Sequence, residues 1–369
     1  MHKKVRFKQP FITIAVFMIV ALALFVFSSC TQGPGATQQT LLYLFSTFKP
    51  GNVYTFDLES NTCSAESLFS YDTDAGDNAY FYGGRGYIAA ASLDDPQLLQ
   101  FDPADSTIIS SAFVFEAYEW KGGPSSIVFL GPTKAYVTDS GSYDAQDFSP
   151  NNDGGVLVFN PSDTGSAWTK ITDSDANCDG MTYIAGKNKV YVANSGSGTV
   201  SVIDTENDTE NETEIAVDPN PTKIIANSDD SKVYVFCTSY AGNSTLKEID
   251  TTTDSVTDTL TVTQGAGSPA AGLPSICGTK IYYSGLDDFW AGTGPFYIDI
   301  GEAIPSETPI TTEVAGGSTL IYDNKLYVTN TSAVQSTLTI VDLADYTEVE
   351  GSPFDVGKDG DGIKGMAVY

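Results

Sequence analysis

The chain has 369 residues, and its 18 Lys and Arg stand against 47 Asp and Glu, which gives a net charge of −29 at pH 7. Acidity of this size disfavours nucleic acid as a partner, because the phosphate backbone would be repelled. The length would allow two or three domains, but the internal repeats described below indicate one.

The N-terminal segment has the order of an export signal. Basic residues at Lys3, Lys4, Arg6 and Lys8 precede an uncharged apolar run over 11–27, and Ser28 and Ser29 lead into Cys30. This order is similar to the lipobox of a bacterial lipoprotein signal. We therefore predict a signal peptide over 1–29, a lipid on Cys30 followed by a tether to residue 40, and one domain over 41–369. An ordinary cleaved signal and an uncleaved anchor are the alternatives.

A tyrosine-containing apolar run recurs at intervals of 43 to 55 residues. Its seven tyrosines are Tyr43, Tyr87, Tyr136, Tyr191, Tyr234, Tyr282 and Tyr327. Each run is followed by a second one that ends in Asp or Asn, at Asp57, Asp102, Asn160, Asp204, Asp250, Asp299 and Asp342. Short β-branched and aromatic runs closed by such residues predict strands, with the terminal side chain hydrogen-bonding the backbone two residues later.

A further short apolar run precedes each later tyrosine strand, and a fourth follows the Asp-ended strand in several repeats. Four strands per repeat of this length are typical of a propeller blade. The domain begins with a tyrosine strand at Leu41 and ends with an inner strand at Tyr369. These two fragments complete one blade, so we predict an all-β, seven-bladed β-propeller of four-stranded antiparallel blades, closed by pairing of the N-terminal strands with the C-terminal strand.

The repeats also carry a family resemblance. YVTD ending at Asp139, YVAN ending at Asn194 and YVTN ending at Asn330, with the VSVID strand ending at Asp204, resemble the YVTN-type repeat of surface-layer and YncE-like propellers. The resemblance implies a propeller that acts outside the cytoplasm. We expect a monomer that is attached to the membrane by its lipid, at the outer membrane or cell surface.

Loops that join one blade to the next, and those between the second and third strands, open on one face of a propeller. The acidic and aromatic residues predicted there form a candidate ligand face: Asp72, Asp74, Asp77, Trp120, Tyr143, Asp173, Asp175, Asp179, Asp287, Trp290, Asp359 and Asp361. Functional residues concentrate on such loops. Solvated insertions are the alternative interpretation, and Trp120 and Trp290 could equally cap the core.

Calcium is the sharpest metal hypothesis, because it takes many oxygen ligands and closely spaced carboxylates can supply them. Asp173, Asp175 and Asn177 resemble the opening of an EF-hand loop, although Cys178 stands where a glycine is needed and Ile184 where the bidentate Glu belongs. With Asp179 they form the candidate calcium ligands. Ordinary Asp-rich turns are the competing interpretation.

The single histidine, His2, lies in the signal, so the mature chain has no Ser-His-Asp triad and no histidine-ligated metal. Two functions remain. The first is a non-catalytic binding or scaffolding propeller that presents an acidic face to a protein, glycan or cation. The alternative is a calcium-dependent hydrolase, lactonase-like or active on glycans, which uses Asp residues at the central channel.

Overall fold

The computed structural model describes residues 40–46, 50–71, 78–90, 96–105, 107–110, 120–144, 146, 149–163, 165, 167–171, 177–211, 213–239, 243–262, 272–286, 292–310, 317–330, 335–358 and 360–369. Within these ranges the regular secondary structure is almost entirely β-strand, and the helical segment found there is a 3₁₀ turn at Ala185–Lys187. None of the described residues forms a helix of the length and hydropathy needed to cross a membrane.

The strands form seven small antiparallel sheets. Blade 1 contains Leu41–Ser46 (β1), Gly51–Asp57 (β2), Thr62–Cys63 (β3) and Phe69–Tyr71 (β4). Blade 2 contains Asn78–Tyr82 (β5), Arg85–Ala90 (β6), Gln97–Asp102 (β7) and Thr107–Ser110 (β8). Blade 3 contains Pro124–Gly131 (β9), Lys134–Asp139 (β10), Gly155–Phe159 (β11) and Thr169–Lys170 (β12). Blade 4 contains Cys178–Ile184 (β13), Lys189–Asn194 (β14), Thr199–Asp204 (β15), Thr209–Glu210 (β16) and Ile215–Ala216 (β17).

The remaining blades follow the same order. Blade 5 contains Pro221–Ala226 (β18), Lys232–Cys237 (β19), Ser244–Asp250 (β20) and Ser255–Val262 (β21). Blade 6 contains Ser275–Cys277 (β22), Lys280–Leu286 (β23), Gly292–Asp299 (β24) and Glu307–Pro309 (β25). Blade 7 contains Thr319–Tyr322 (β26), Lys325–Asn330 (β27), Ser336–Asp342 (β28) and Phe354–Val356 (β29). The last strand of the chain is Ile363–Val368 (β30).

β30 belongs to blade 1, which confirms the predicted closure. It pairs antiparallel with β1, so that Leu42 lies opposite Val368 and Leu44 opposite Met366, and blade 1 has the order β3-β2-β1-β30. The first and last strands of the domain are therefore neighbours in one sheet, and the fold is the predicted seven-bladed β-propeller.

The hydrophobic core lies between the blades. Seven clusters of buried apolar side chains each join two neighbouring blades. Successive side chains of a strand point to opposite faces of its sheet, so in β1 Leu42 and Leu44 pack against blade 7 while Tyr43 and Phe45 pack against blade 2. A blade has two apolar faces, and only a neighbour on each side removes both from water.

The Asp or Asn that ends each third strand forms the predicted turn. In all seven blades its side-chain oxygen accepts a hydrogen bond from the backbone N–H two residues later, at 2.8 to 3.0 Å. These residues are therefore turn formers, as the sequence predicts.

Several of the recurrent tyrosines connect their blade to the next one through the side-chain hydroxyl. The Tyr136 hydroxyl donates to the Asp208 carboxylate, and the Tyr191 hydroxyl donates to Asp254. Asp208 and Asp254 both have positive φ, 56° and 49°, and both lie in the turn after the third strand of the following blade. The lysine that begins the tyrosine strand adds an ion pair to the same carboxylate, at 2.5 Å for Lys134 and 2.6 Å for Lys189.

Removing one of these hydroxyls should weaken the contact between two blades. We expect Tyr191→Phe to lower the free energy of unfolding by about 1–2 kcal/mol, because a buried hydrogen bond to a charged acceptor is lost. Urea denaturation measures the effect, and Tyr143→Phe, at a tyrosine that is 52% exposed, is the control. Equal stability of the two variants would contradict the inter-blade role.

Candidate functional site at the channel mouth

The seven inner strands, β5, β9, β13, β18, β22, β26 and β30, contain three charged residues: Asp179, Lys223 and Lys364. Each lies at the second or third position of its strand. Each inner strand begins where the loop from the preceding blade ends. The starts of the inner strands therefore lie at the same end of the ring as the loops between blades. We call this end of the central channel the channel mouth, and all three charges lie at it.

Two of these charges face each other across neighbouring blades. Lys223 Nζ lies 4.0 Å from Asp179 Oδ1, and the side chains are 11% and 24% exposed. The Ser125 hydroxyl, from blade 3, donates to the same Asp179 oxygen at 2.8 Å. The carboxylate is therefore held between blades 3 and 5, largely out of water but still in contact with it.

Gly180 makes this approach possible. A Cβ at this position would lie 2.8 Å from the Thr222 carbonyl oxygen and 3.2 Å from the Ile224 nitrogen, both on β18. A side chain here would push the inner strands of blades 4 and 5 apart, so glycine lets the backbones meet closely. The separation of Asp179 from Lys223 depends on that contact.

Tyr80 and Ser126 extend the cluster to blade 2. The Tyr80 hydroxyl lies 3.4 Å from Ser126 Oγ, and Ser126 Oγ also accepts the Met181 N–H at 3.2 Å. Burial raises the pKa of the Tyr80 phenol, against smaller opposing effects of Ser126 and Lys223. Tyr80 is therefore a neutral hydroxyl at physiological pH. Tyr80, Ser125, Ser126, Asp179 and Lys223 form what we call the mouth cluster.

Asp139 fixes the loops beside this cluster. It is fully buried at the end of β10, and its two carboxylate oxygens accept the backbone N–H groups of Lys121, Gly122, Gly123 and Gly141 at 2.8 to 3.2 Å. Four donors on one carboxylate hold the start of the inner strand of blade 3 against the loop that follows its second strand.

Several residues of the predicted ligand face are described by the structure. Trp120 packs against the hydrophobic cluster between blades 2 and 3, in agreement with the alternative that it caps the core. Tyr143 is exposed and bridges to Pro150 within the long loop of blade 3. Asp179 belongs to the mouth cluster.

Asp361 connects the two ends of the domain. Its carboxylate accepts hydrogen bonds from the Asn52 amide at 2.8 Å and the Tyr54 hydroxyl at 2.5 Å, both on β2, and from the Lys358 N–H at 2.7 Å. Cys30, Asp72, Asp74, Asp77, Asp173, Asp175, Asp287, Trp290 and Asp359 lie outside the described residues. Their assignments stay predictions.

The proposed calcium ligands are only partly described. Asn177 is fully buried, its amide donates to the Ser142 carbonyl at 3.2 Å, and its Oδ1 has no hydrogen-bond partner in the described part of the chain. Asp179, two residues later, instead engages Ser125 and Lys223. No group of three or more His, Cys, Asp or Glu among the described residues has a geometry that could hold a metal ion. The calcium site stays a prediction, because Asp173 and Asp175 fall outside those residues.

Two buried cysteines offer no nucleophile. Burial raises the pKa of the Cys237 thiol to about 11, and it raises the pKa of Cys178 further still. A thiol with such a pKa carries almost no thiolate at neutral pH, and the thiolate is the reactive form.

The sequence patterns did not indicate Lys223, Ser125, Ser126 or Tyr80 as functional residues. The predicted functional residues lie mainly on loops, whereas these four lie within inner strands. A charge inside a short, otherwise apolar strand was the available signal, since burying a charge is costly unless a partner compensates it. That signal marks Asp179, Lys223 and Lys364.

No known protein-family profile matches the chain, and no curated protein matches it. Many solved structures, in contrast, are similar to it. A candidate 6-phosphogluconolactonase from Bacteroides fragilis has a TM-score of 0.64 at 12% identity, over 91% of this chain and 100% of its own. The periplasmic gluconolactonase of Pseudomonas aeruginosa has a TM-score of 0.64 at 11% identity, over 89% of this chain and 99% of its own.

A protein of unknown function from Desulfotomaculum acetoxidans is similar to the same degree, with a TM-score of 0.63 at 9% identity over 89% of this chain and 98% of its own. At such identities the likeness establishes the fold. The chain is therefore a seven-bladed β-propeller whose structural neighbours include proteins named as lactonases. Function has to be argued from the site itself.

Proposed function

We propose that this chain is a lipid-anchored, extracytoplasmic binding propeller of the YVTN-repeat type, which binds a small polar ligand at the channel mouth. The observation that carries the proposal is the Asp179–Lys223 pair, whose charges are 4.0 Å apart and mostly removed from water. The YVTN-like repeats and the signal-like N-terminus support the cellular location.

An ion pair with this geometry contributes little to the stability of the fold. Removing two charges from water costs several kcal/mol, and only close contact with further hydrogen bonds offsets that cost. A direct charge-assisted hydrogen bond would be about 2.7–2.9 Å long, whereas Asp179 and Lys223 lie 4.0 Å apart. Charged side chains at the end of the ring where the inner strands begin are better explained by ligand binding than by stability.

The pair can be tested without knowing the ligand. We expect the double variant Asp179→Asn, Lys223→Met to unfold with a free energy within about 1 kcal/mol of the wild type, because desolvation and attraction nearly cancel. Chemical denaturation measures this. The matched control is Lys232→Met, Glu248→Gln in the same blade as Lys223, where the ion pair is direct at 2.8 Å. A loss of more than about 3 kcal/mol in the mouth variant would show that the pair is structural.

The anchor has its own test. We expect Cys30→Ser to move the protein from the membrane fraction to the soluble fraction and to remove the mass of the acyl chains, because the lipid is attached through the Cys30 thiol. Fractionation and mass spectrometry of the exported protein measure both. Unchanged mass with continued membrane attachment would rule out lipidation.

A second candidate function is lactone hydrolysis, favoured by the presence of a carboxylate beside an ammonium group and by the solved neighbours named as lactonases. In this scheme Asp179 would take a proton from the attacking water while Lys223 stabilises the carbonyl oxygen as it gains negative charge. The ring C–O bond then breaks, and the proton passes from Asp179 to the departing oxygen.

Glucono-δ-lactone is the probe for this candidate, and acid release in a pH-stat is the readout. Catalysis requires a rate above the spontaneous one, and Asp179→Asn should lower kcat/KM by about 100-fold because the general base is lost. Asp355→Asn, at an exposed position in β29, is the control. If the wild type does not accelerate hydrolysis of the lactone, the lactonase candidate is ruled out and the binding proposal remains.

A further inference from the structure

We propose that a cavity in blade 4, at the end of the ring opposite the channel mouth, binds a small zwitterion of the α-amino acid class. The cavity has a volume of about 250 Å³ and is lined by Lys187, Asp204 and Glu206 among others. It shares no residue with the mouth cluster, so its ligand is a second one. The observation that carries the proposal is a half-buried ammonium group, Lys187, without a carboxylate partner among the described residues.

Lys187 is held in place by blade 5. It ends the 3₁₀ turn that precedes β14, and its Nζ donates to the Thr251 hydroxyl at 2.5 Å and the Thr252 hydroxyl at 2.8 Å. One residue earlier, the Gly186 N–H donates to the Asp230 carboxylate at 3.1 Å. Contacts with the next blade therefore fix the position of the ammonium group at the wall of the cavity.

The charge of Lys187 is not compensated as those of comparable lysines are. Lys134 and Lys189 each pair with an aspartate of the following blade, at 2.5 and 2.6 Å. No carboxylate of the described residues lies within 4.0 Å of the Lys187 ammonium, although Asp and Glu outnumber Lys and Arg by 47 to 18 in the chain. A charge partly removed from water requires a partner. The two threonine hydroxyls occupy two of its three N–H donors, which leaves the third for the carboxylate of a ligand.

Two carboxylates of the same cavity attract a positive charge. The Asn188 amide donates to Glu206 Oε1 at 2.8 Å, whereas Oε2 accepts no hydrogen bond from the described part of the chain. Hydrogen bonds from the Asn207 side chain and the Glu206 N–H lower the pKa of Asp204, so this carboxylate is ionised at neutral pH. The ammonium group of a ligand can therefore bind on this side while its carboxylate binds Lys187.

Charge and size together define the class of ligand. A simple cation would be repelled by Lys187, and a simple anion would be repelled by Asp204 and Glu206. The volume of about 250 Å³ is below the range of about 300–1,000 Å³ that is usual for drug-sized ligands. An α-amino acid is small and carries both charges within a few bonds, so it interacts favourably with both sides of the cavity.

The experiment is saturation-transfer NMR on the full chain, with Kd obtained by titration. The probes are L-alanine, L-serine and L-leucine. Each is compared with its α-amide, which has no carboxylate, and with its N-acetyl derivative, which has no ammonium group. We expect at least one amino acid to bind, and both of its derivatives to bind at least about tenfold more weakly because each loses one charge-assisted hydrogen bond.

Variants assign the binding to this cavity. Lys187→Met and Glu206→Gln should each weaken binding of that amino acid about tenfold, for the same reason. The matched control is Lys325→Met, at the start of the second strand of blade 7, which should leave the Kd unchanged. Asp179→Asn, at the channel mouth, should also leave it unchanged.

The proposal is overturned if no amino acid binds, if the derivatives bind as tightly as the parent compound, or if Lys187→Met binds like the wild type. Loss of binding in Asp179→Asn would also overturn it, because the amino acid would then occupy the mouth. The wild-type panel alone can give the first two results, so the test does not depend on the variants folding. Neither of those two results affects the proposed binding at the mouth, since the two sites lie at opposite ends of the ring.

Discussion

Pairing of the first strand with the last is the constraint on which the structure depends. Each blade has two apolar faces and the ring has seven junctions, so an open arrangement would leave two faces exposed to water. The β1–β30 pairing joins residues more than 300 positions apart, and Asp361 strengthens the junction through Asn52 and Tyr54 of β2. Closure also removes the open sheet edge that would otherwise invite aggregation.

The channel mouth is a consequence of closure. The mouth cluster takes side chains from four blades, and no single blade holds both charges. Its geometry is therefore set by the inter-blade packing, in which Gly180 permits close contact and the Tyr136 and Tyr191 hydroxyls fix the opposite face of the ring. The backbone positions of Asp179 and Lys223 are therefore fixed by the packing of whole sheets.

The repeat made the fold predictable from the sequence, since side-chain period, turn residues and complementary chain ends all indicate the same ring. The Asp-ended strands, their turns and the composite first blade were predicted and are confirmed. The role of the tyrosine could be expected only in part: its burial follows from its apolar neighbours, but its contact with Asp208 or Asp254 depends on a turn of the next blade. Such contacts between repeats carry no periodic signal of their own.

The site was harder to predict for a physical reason. Acidic loops are conspicuous in the sequence, whereas Lys223 is one charge in the strand PTKIIA and Ser125 and Ser126 look like ordinary strand residues. Their proximity depends on which blades adjoin and how closely β13 approaches β18. Among the described residues of the predicted ligand face, only Asp179 belongs to the mouth cluster.

Native-state hydrogen exchange tests ring closure most directly. The account predicts that backbone amides of β1 exchange as slowly as those of the internal strands β14 and β19. The β30 amides that are bonded to β1 should exchange as slowly as the corresponding amides of the inner strands β13 and β18, and all should become exposed together only in global unfolding. Fast exchange of the β30 amides bonded to β1, with the equivalent amides of β13 and β18 still protected, would show that the last strand is not part of the closed ring and that the channel mouth is not a fixed site.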